Sequence, residues 1–370
     1  MEYSRWQFDE EFLTLTIKNL QKMLKRKNLN ADLIDMIQFT IYKFSEYLDI
    51  LNDNDVIENN EITVNEQSFQ TLKRKFLNKA LSDYNMLGDD IIDAIIYMTT
   101  NHVYFGFEDY RCNYKLTPTE IVDKSLSVYE EILPDFLPDA KYIVDNPIKL
   151  INFSDRITSV GSECYYEGLL QLPFINVDDY KHLPLNFIHE LQHGIEGVKD
   201  YKTCYYYKEL GSILMEILYI DKMVRNKESL ADKLYFDRIS YVEAELEYLG
   251  SYLKCVKYLK LNNFNVATKD FISLLKKNGL IYDDRNIVGE ILPVDFLEMT
   301  MYLLSFFKSL EVRNIIYRND KYGYKVLNNS LNNSYLSNLN AKKMLSDYEN
   351  YLDEIISKRR NSSHVKMYRK

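Results

Sequence analysis

His189-Glu190-Leu191-Gln192-His193 carry the strongest chemical pattern in the chain. On an α-helix, residues four apart return to the same face, so His189 and His193 can bind one metal ion together. Glu190 stands beside them, where its carboxylate can hold a metal-bound water. Zinc hydrolysis needs this set of groups: two neutral imidazoles, a third protein ligand, an open position for water, and a carboxylate to take the water's proton. With only five histidines in the chain (His102, His182, His189, His193 and His364), such spacing is rarely accidental.

The elements that must position these groups are legible nearby. Leu185, Phe187, Ile188, Leu191 and Ile195 give the motif apolar residues at helical spacing, Pro184 suits a first turn, and Gly197 lies near the end. The third ligand should come from another element, because three ligands on one helix do not easily close a tetrahedral site. Glu209 opens the next strong helical run, Glu209 to Met223, with Ser212 and Glu216 on the same stripe. Glu209 is the expected ligand, and Glu216 is expected to orient a ligand histidine from behind and raise its basicity. Glu196, three residues after His193, is the competing third ligand. The structural alternative is a core helix whose histidines are hydrogen-bonded internally.

The segments His189-Glu-Leu-Gln-His193-Gly-Ile-Glu196 and Glu209-Leu-Gly-Ser212-Ile-Leu-Met-Glu216 resemble the zinc oligopeptidases of the oligoendopeptidase F and thimet oligopeptidase family. That family carries HExGHxxH followed by a ligand Glu in an ExxSxxxE context. Gly161-Ser162-Glu163 through Leu172-Pro173-Phe174-Ile175-Asn176 looks like the family's short strands before the active-site helix, and Leu116-Thr117-Pro118 through Phe136 like the helix before them. The resemblance spans roughly residues 105 to 350. The sequence departs from the pattern at Gln192, where the family has Gly, and at Glu196, where it has His. It also has no His between His193 and His364, where the family places a late His and several Tyr.

The resemblance implies a mainly α metallopeptidase fold, with a small β-hairpin or sheet before the HExxH helix and a substrate channel between helical lobes. It implies one Zn²⁺ per chain, held by His189, His193 and Glu209, with Glu190 as general base. The late segment Pro293 to Phe307 offers Tyr302 as the first candidate oxyanion donor, with Tyr241, Tyr248, Tyr317, Tyr322 and Tyr324 behind it. An extended peptide substrate would lie along residues 161 to 168. The expected function is hydrolysis of short unstructured peptides. The alternatives are a non-catalytic zinc-containing helical protein that binds peptides or regulates, and a metal-free helical scaffold.

Composition agrees with a helical class: 11 Gly and 7 Pro in 370 residues leave few breaks in runs rich in Leu, Ile, Lys and Glu. Helices are expected over Glu10 to Lys25, Ala31 to Leu51, Glu66 to Ser82, Asp89 to Asn101, Thr119 to Leu133, Leu185 to Gly197, Glu209 to Met223, Ser240 to Leu261, Lys269 to Lys277, Pro293 to Ile316 and Ala341 to Ile356. Strand character is confined to 141 to 177. The expected organisation is an N-terminal helical region (1–104), a catalytic region (105–357) and a flexible basic tail (358–370), with an Asn-rich helix connection at 328 to 340.

A formal net charge of −9 argues against generic nucleic-acid binding. Cys112, Cys164, Cys204 and Cys255 lack CxxC spacing and read as reduced thiols. With no apolar signal core at the N-terminus and no run of about eighteen apolar residues, no membrane association and a cytoplasmic location are expected. Nothing in the sequence sets an oligomeric state. Among 32 tyrosines, Tyr201, Tyr205, Tyr206 and Tyr207 cluster between the two zinc helices, where a phenol could donate to an oxyanion.

Overall fold

The computed structural model describes residues 3–26, 29–52, 54, 66–102, 105–106, 114–201, 205–281, 294–318, 325, 327–328, 331, 339–359 and 368–369. Helices α1 (Glu10–Leu24) and α2 (Ala31–Leu51) open on side-chain caps: Asp9 accepts from the Phe12 N–H and Asn30 from the Leu33 N–H. The long α3 (Glu66–Asn101) is interrupted at Gly88 (φ 72°, ψ 170°), between the two helices that the sequence separates. A left-handed φ costs glycine little, so the chain bends there without strain. After a two-residue β1 (Phe105–Gly106), α4 (Pro118–Ile132) begins on a reciprocal capping box between Thr117 and Glu120.

Residues 141–144 depart from expectation: α5 (Leu137–Val144) runs into the start of the segment expected to be extended. Pro138 suits its first turn, as Pro134 suits that of the 3-10 turn before it, and Ala140, Ile143 and Val144 bury one helical face. The sheet follows as β2 (Ile151–Phe153), β3 (Glu163–Glu167) and β4 (Leu172–Val177), in the order β2-β4-β3. β4 runs parallel to β2, with Ile151 opposite Ile175, and antiparallel to β3, with Cys164 opposite Ile175. The remaining helices are α6 (Leu185–Val198), α7 (Leu210–Arg225), α8 (Ala231–Leu261), α9 (Thr268–Lys277), α10 (Phe296–Arg318) and α11 (Ala341–Arg359), with a short β5 (Tyr368–Arg369) paired to β1. The mainly helical class with a small sheet before the HExxH helix is the one read from the sequence. α8 starts nine residues before the expected Ser240, because Asp232, Lys233 and Asp237 dilute an apolar stripe formed by Leu234, Tyr235 and Ile239.

The sheet is covered on both faces, and this fixes α6. On one face Phe174 of β4 meets Phe44 of α2 at a 4.8 Å ring separation, with Phe8 and Tyr47 completing a satellite core. The other face takes α6, where Gly194 permits close approach: a Cβ there would lie 3.1 Å from Ile143 and 3.3 Å from Pro173. Alternation along β3 sends Glu163, Tyr165 and Glu167 to α2, where they meet Lys43, Tyr47 and Thr40. Tyr166 points the opposite way, onto Gly197 of α6. The larger core then packs α6, α7, α8 and α10 through Ile188, Leu191, Leu214, Leu249, Tyr252, Phe296 and Leu303.

Cys164 and Cys255 are free thiols. Cys112, Cys204, Tyr322, Tyr324 and His364, most of the Asn-rich connection, and most of the basic tail lie outside the described residues. No described helix is long and apolar enough to cross a membrane.

Candidate metal centre

Helix α6 buries Phe187, Ile188, Leu191 and Ile195 and turns His189 and His193 toward the start of α7. Glu209 is the N-cap residue of α7: its carbonyl accepts from the Ile213 N–H at 3.0 Å while its side chain reaches back to α6. Glu209 Oε2 lies 2.9 Å from His193 Nε2 and 3.2 Å from His189 Nε2, and the two Nε2 atoms are 3.2 Å apart. Tetrahedral zinc with bonds of about 2.0–2.1 Å sets its ligand atoms about 3.3 Å apart. These three atoms therefore form one face of a coordination tetrahedron, and the donor set fits zinc. Two neutral imidazole lone pairs facing each other at 3.2 Å would repel without a cation between them.

The surrounding charges favour positive charge at this point. Burial disfavours a charged His189, yet hydrogen bonds to Glu209 and Glu216 outweigh burial and push it up to about 10. His193 is likewise raised against its burial, by Glu209 above all. Burial opposes ionisation of Glu209, but the hydrogen bonds and charges of the two imidazoles hold its carboxyl far below the usual range. A bound divalent ion would supply the positive charge that these protons otherwise provide.

Behind the imidazoles, Glu216 on α7 stands 2.5 Å from His189 Nδ1. A proton on Nδ1 leaves the Nε2 lone pair facing the centre, as expected of a carboxylate behind a ligand histidine. Ser212 Oγ lies 3.0 Å from His193 Nε2. Glu190 is 8% exposed, and burial pushes its carboxyl up, with His189 and His193 opposing. A carboxylate so raised is a stronger proton acceptor than an exposed one.

Glu196 is turned elsewhere. Its Oε1 accepts from Gln192 Nε2 at 2.9 Å, and it packs against Gly211 between α6 and α7. The group of metal-ligating side chains that converge among the described residues is His189, His193 and Glu209. Tyr302 on α10 stacks on His189, with ring centroids 6.5 Å apart and an interplanar angle of 25°. Its hydroxyl oxygen accepts from Arg238 of α8, which leaves the phenol proton available to donate. Of the reserve tyrosines, Tyr241 packs edge-on to Tyr302 at 5.7 Å, Tyr248 lies on Phe296, and Tyr317 lies over Arg313.

Two residues with a part in this arrangement went unnoticed in the sequence. Arg238 interrupts the buried stripe of Leu234, Tyr235 and Val242, and a cation within such a stripe is a readable signal. Gly211 sits in the helical run after Glu209, where intrinsic propensity disfavours glycine.

No protein-family model matches the chain, and no curated protein matches it. Two solved structures are similar. One is a candidate peptidase from Chlamydophila abortus, at 11% identity and TM-score 0.46, covering 80% of this chain and 56% of that one. The other is a candidate oligoendopeptidase F from Bacillus anthracis strain Ames, at 16% identity and TM-score 0.46, covering 89% of this chain and 65% of that one. The chain thus spans less than two thirds of either neighbour, and likeness at this level assigns neither family nor activity.

Proposed function

We propose that this protein is a zinc-dependent peptidase of oligopeptidase type that hydrolyses short, unstructured peptides. The observation that carries the reading is the convergence of His189 Nε2, His193 Nε2 and Glu209 Oε2 at mutual distances of 2.9–3.2 Å beside a buried Glu190. Zn²⁺ held there supplies Lewis acidity and draws the pKa of a water toward about 7. Glu190 takes the proton of the water that attacks the scissile carbonyl and passes it to the departing amine as the C–N bond breaks. Tyr302 donates its phenol proton as a hydrogen bond to the oxygen on which negative charge develops.

The open side of β3 supports an extended substrate. Among the described residues β3 pairs only with β4, and its free edge offers backbone groups to which a peptide can add as a further strand.

Incubation of the purified protein with a mixed quenched-peptide library tests the proposal. The expected outcome is about one zinc per chain and turnover that a strong chelator abolishes and added zinc restores. Peptide binding without turnover in the zinc-loaded protein would establish the non-catalytic alternative, and absence of zinc would reject both.

A further inference from the structure

The four helices around the candidate centre each give one side chain to a closed circuit. His189 of α6 meets Glu216 of α7 through Nδ1 at 2.5 Å, and Glu216 Oε2 stands 3.1 Å from Arg238 Nε of α8. Arg238 Nη1 donates to the hydroxyl of Tyr302 on α10, and the Tyr302 ring returns to stack on His189. The guanidinium carbon lies 4.8 Å above the Tyr302 ring centroid and 6.0 Å from that of Tyr241. The Glu216 and Arg238 side chains are 6% and 8% exposed, so the pair is withdrawn from water.

We infer that Arg238 is a positioning residue for two groups at once: through Glu216 it sets the orientation of the ligand His189, and through Nη1 it aims the Tyr302 hydroxyl. The inference rests on the zinc-peptidase reading of the same site. A buried carboxylate facing only an imidazole N–H would lack compensation for its lost hydration, whereas a guanidinium on its second oxygen supplies it. Arginine suits the place because its planar guanidinium sets one nitrogen in ion-pair contact with Glu216 while another donates to Tyr302, from one rigid unit. Lysine carries the charge and lacks the fork.

Arg238 touches neither the position of the metal nor that of a scissile bond, so its effect should appear in affinity and alignment. The experiment compares wild type with Arg238→Lys, Arg238→Gln, Glu216→Gln and the double variant Glu216→Gln/Arg238→Gln. In the metal-free proteins, urea midpoints should be non-additive. Each Gln variant leaves one buried charge unpaired and lowers the midpoint, while the double variant regains much of the loss. In competition against a chromogenic chelator, Arg238→Gln should weaken zinc binding roughly tenfold and Glu216→Gln about 10- to 100-fold, and the double variant should lose no more than Glu216→Gln alone. Arg238→Lys should keep most of the zinc affinity and still lower kcat with KM little changed, because Tyr302 loses its guide.

Additive midpoints, or zinc losses that multiply in the double variant, would overturn the inference, as would zinc affinity in Arg238→Gln equal to that of wild type. Those results leave the peptidase reading standing. A wild-type protein that takes up no zinc defeats that reading and this inference together.

Discussion

Glu196 Oε1 occupies the space that a side chain on Gly211 would need: a Cβ built at 211 runs into that oxygen and lies 3.2 Å from Gln192 Nε2. Gln192 in turn accepts from the Tyr129 hydroxyl at 3.1 Å, so Glu196 belongs to a buried polar chain between α4, α6 and α7. Burial pushes its carboxyl up to about 7, with His193 opposing. Gly211→Ala should therefore destabilise the fold by about 1–3 kcal/mol, as overpacking does. In a Glu196→Ala background the same change should cost little, because the space is free. Denaturant unfolding of the four proteins reads this directly, and an equal cost in both backgrounds would reject the steric account.

The same orientation decides between the two candidate third ligands. Glu209→Ala removes an atom 2.9 Å from His193 Nε2 and 3.2 Å from His189 Nε2. It should weaken zinc binding by more than the roughly 10- to 100-fold typical of an outer partner, whereas Glu196→Ala should leave affinity within that smaller range. Equal losses in the two variants, measured by chelator competition, would mean that Glu209 is not a ligand.

Glu190 is close enough to feel both imidazoles, whose charge opposes the upward push of its burial. Glu190→Gln keeps its shape and removes the proton acceptor. Zinc content should be unchanged while peptide hydrolysis falls by a factor on the order of a hundred or more. Hydrolysis that survives in this variant would move the base elsewhere.

The metal-site geometry was legible because it depends on local spacing. The four-residue spacing from His189 to His193 puts two imidazoles on one helix face, and the acids at Glu209 and Glu216 reach them from the next helix. The preference for Glu209 over Glu196 came from the same local geometry, since three ligands on one helix do not easily close a tetrahedral site. What the sequence did not show is where Glu196 goes instead: a glycine in α7 leaves room for its carboxyl between the two helices. Arg238 was harder still, because it lies 49 residues beyond His189 and its partners Glu216 and Tyr302 come from two other helices. The sheet shows the same limit: β4 lies between its hairpin partner β3 and the parallel β2, a pairing that skips one strand in sequence. The residues from 141 read as extended from their apolar and aromatic content, yet the first turn of α5 and the burial of Ile143 and Val144 make the start of the stretch helical.

A second buried cluster pins α11 to the core. Arg313 of α10 places Nε 2.6 Å from Asp221 Oδ2 and Nη1 3.0 Å from Glu354 Oε2, with Tyr317 and Tyr351 over the guanidinium. The Arg313 and Asp221 side chains are 5% and 6% exposed. Arg313→Met leaves Asp221 buried without its cation and should cost about 3–5 kcal/mol. Adding Asp221→Leu should restore most of that stability. If the single variant unfolds at the wild-type midpoint, the cluster contributes nothing to stability.

Tyr302 tests the remaining chemistry. Its ring stacks on His189 and its hydroxyl oxygen receives Arg238, a bond that leaves the phenol proton uncommitted. Burial raises its pKa well above that of an exposed phenol, with Arg238 opposing, so it remains a protonated donor at neutral pH. Tyr302→Phe keeps the stack on His189 and removes the hydroxyl, so zinc content and KM should change little. The kcat value should fall about 10- to 1,000-fold, the range for one lost oxyanion donor. A fall in zinc content instead would mark Tyr302 as packing for His189. An unchanged kcat would direct the search to Tyr241, whose ring meets Tyr302 edge-on at 5.7 Å.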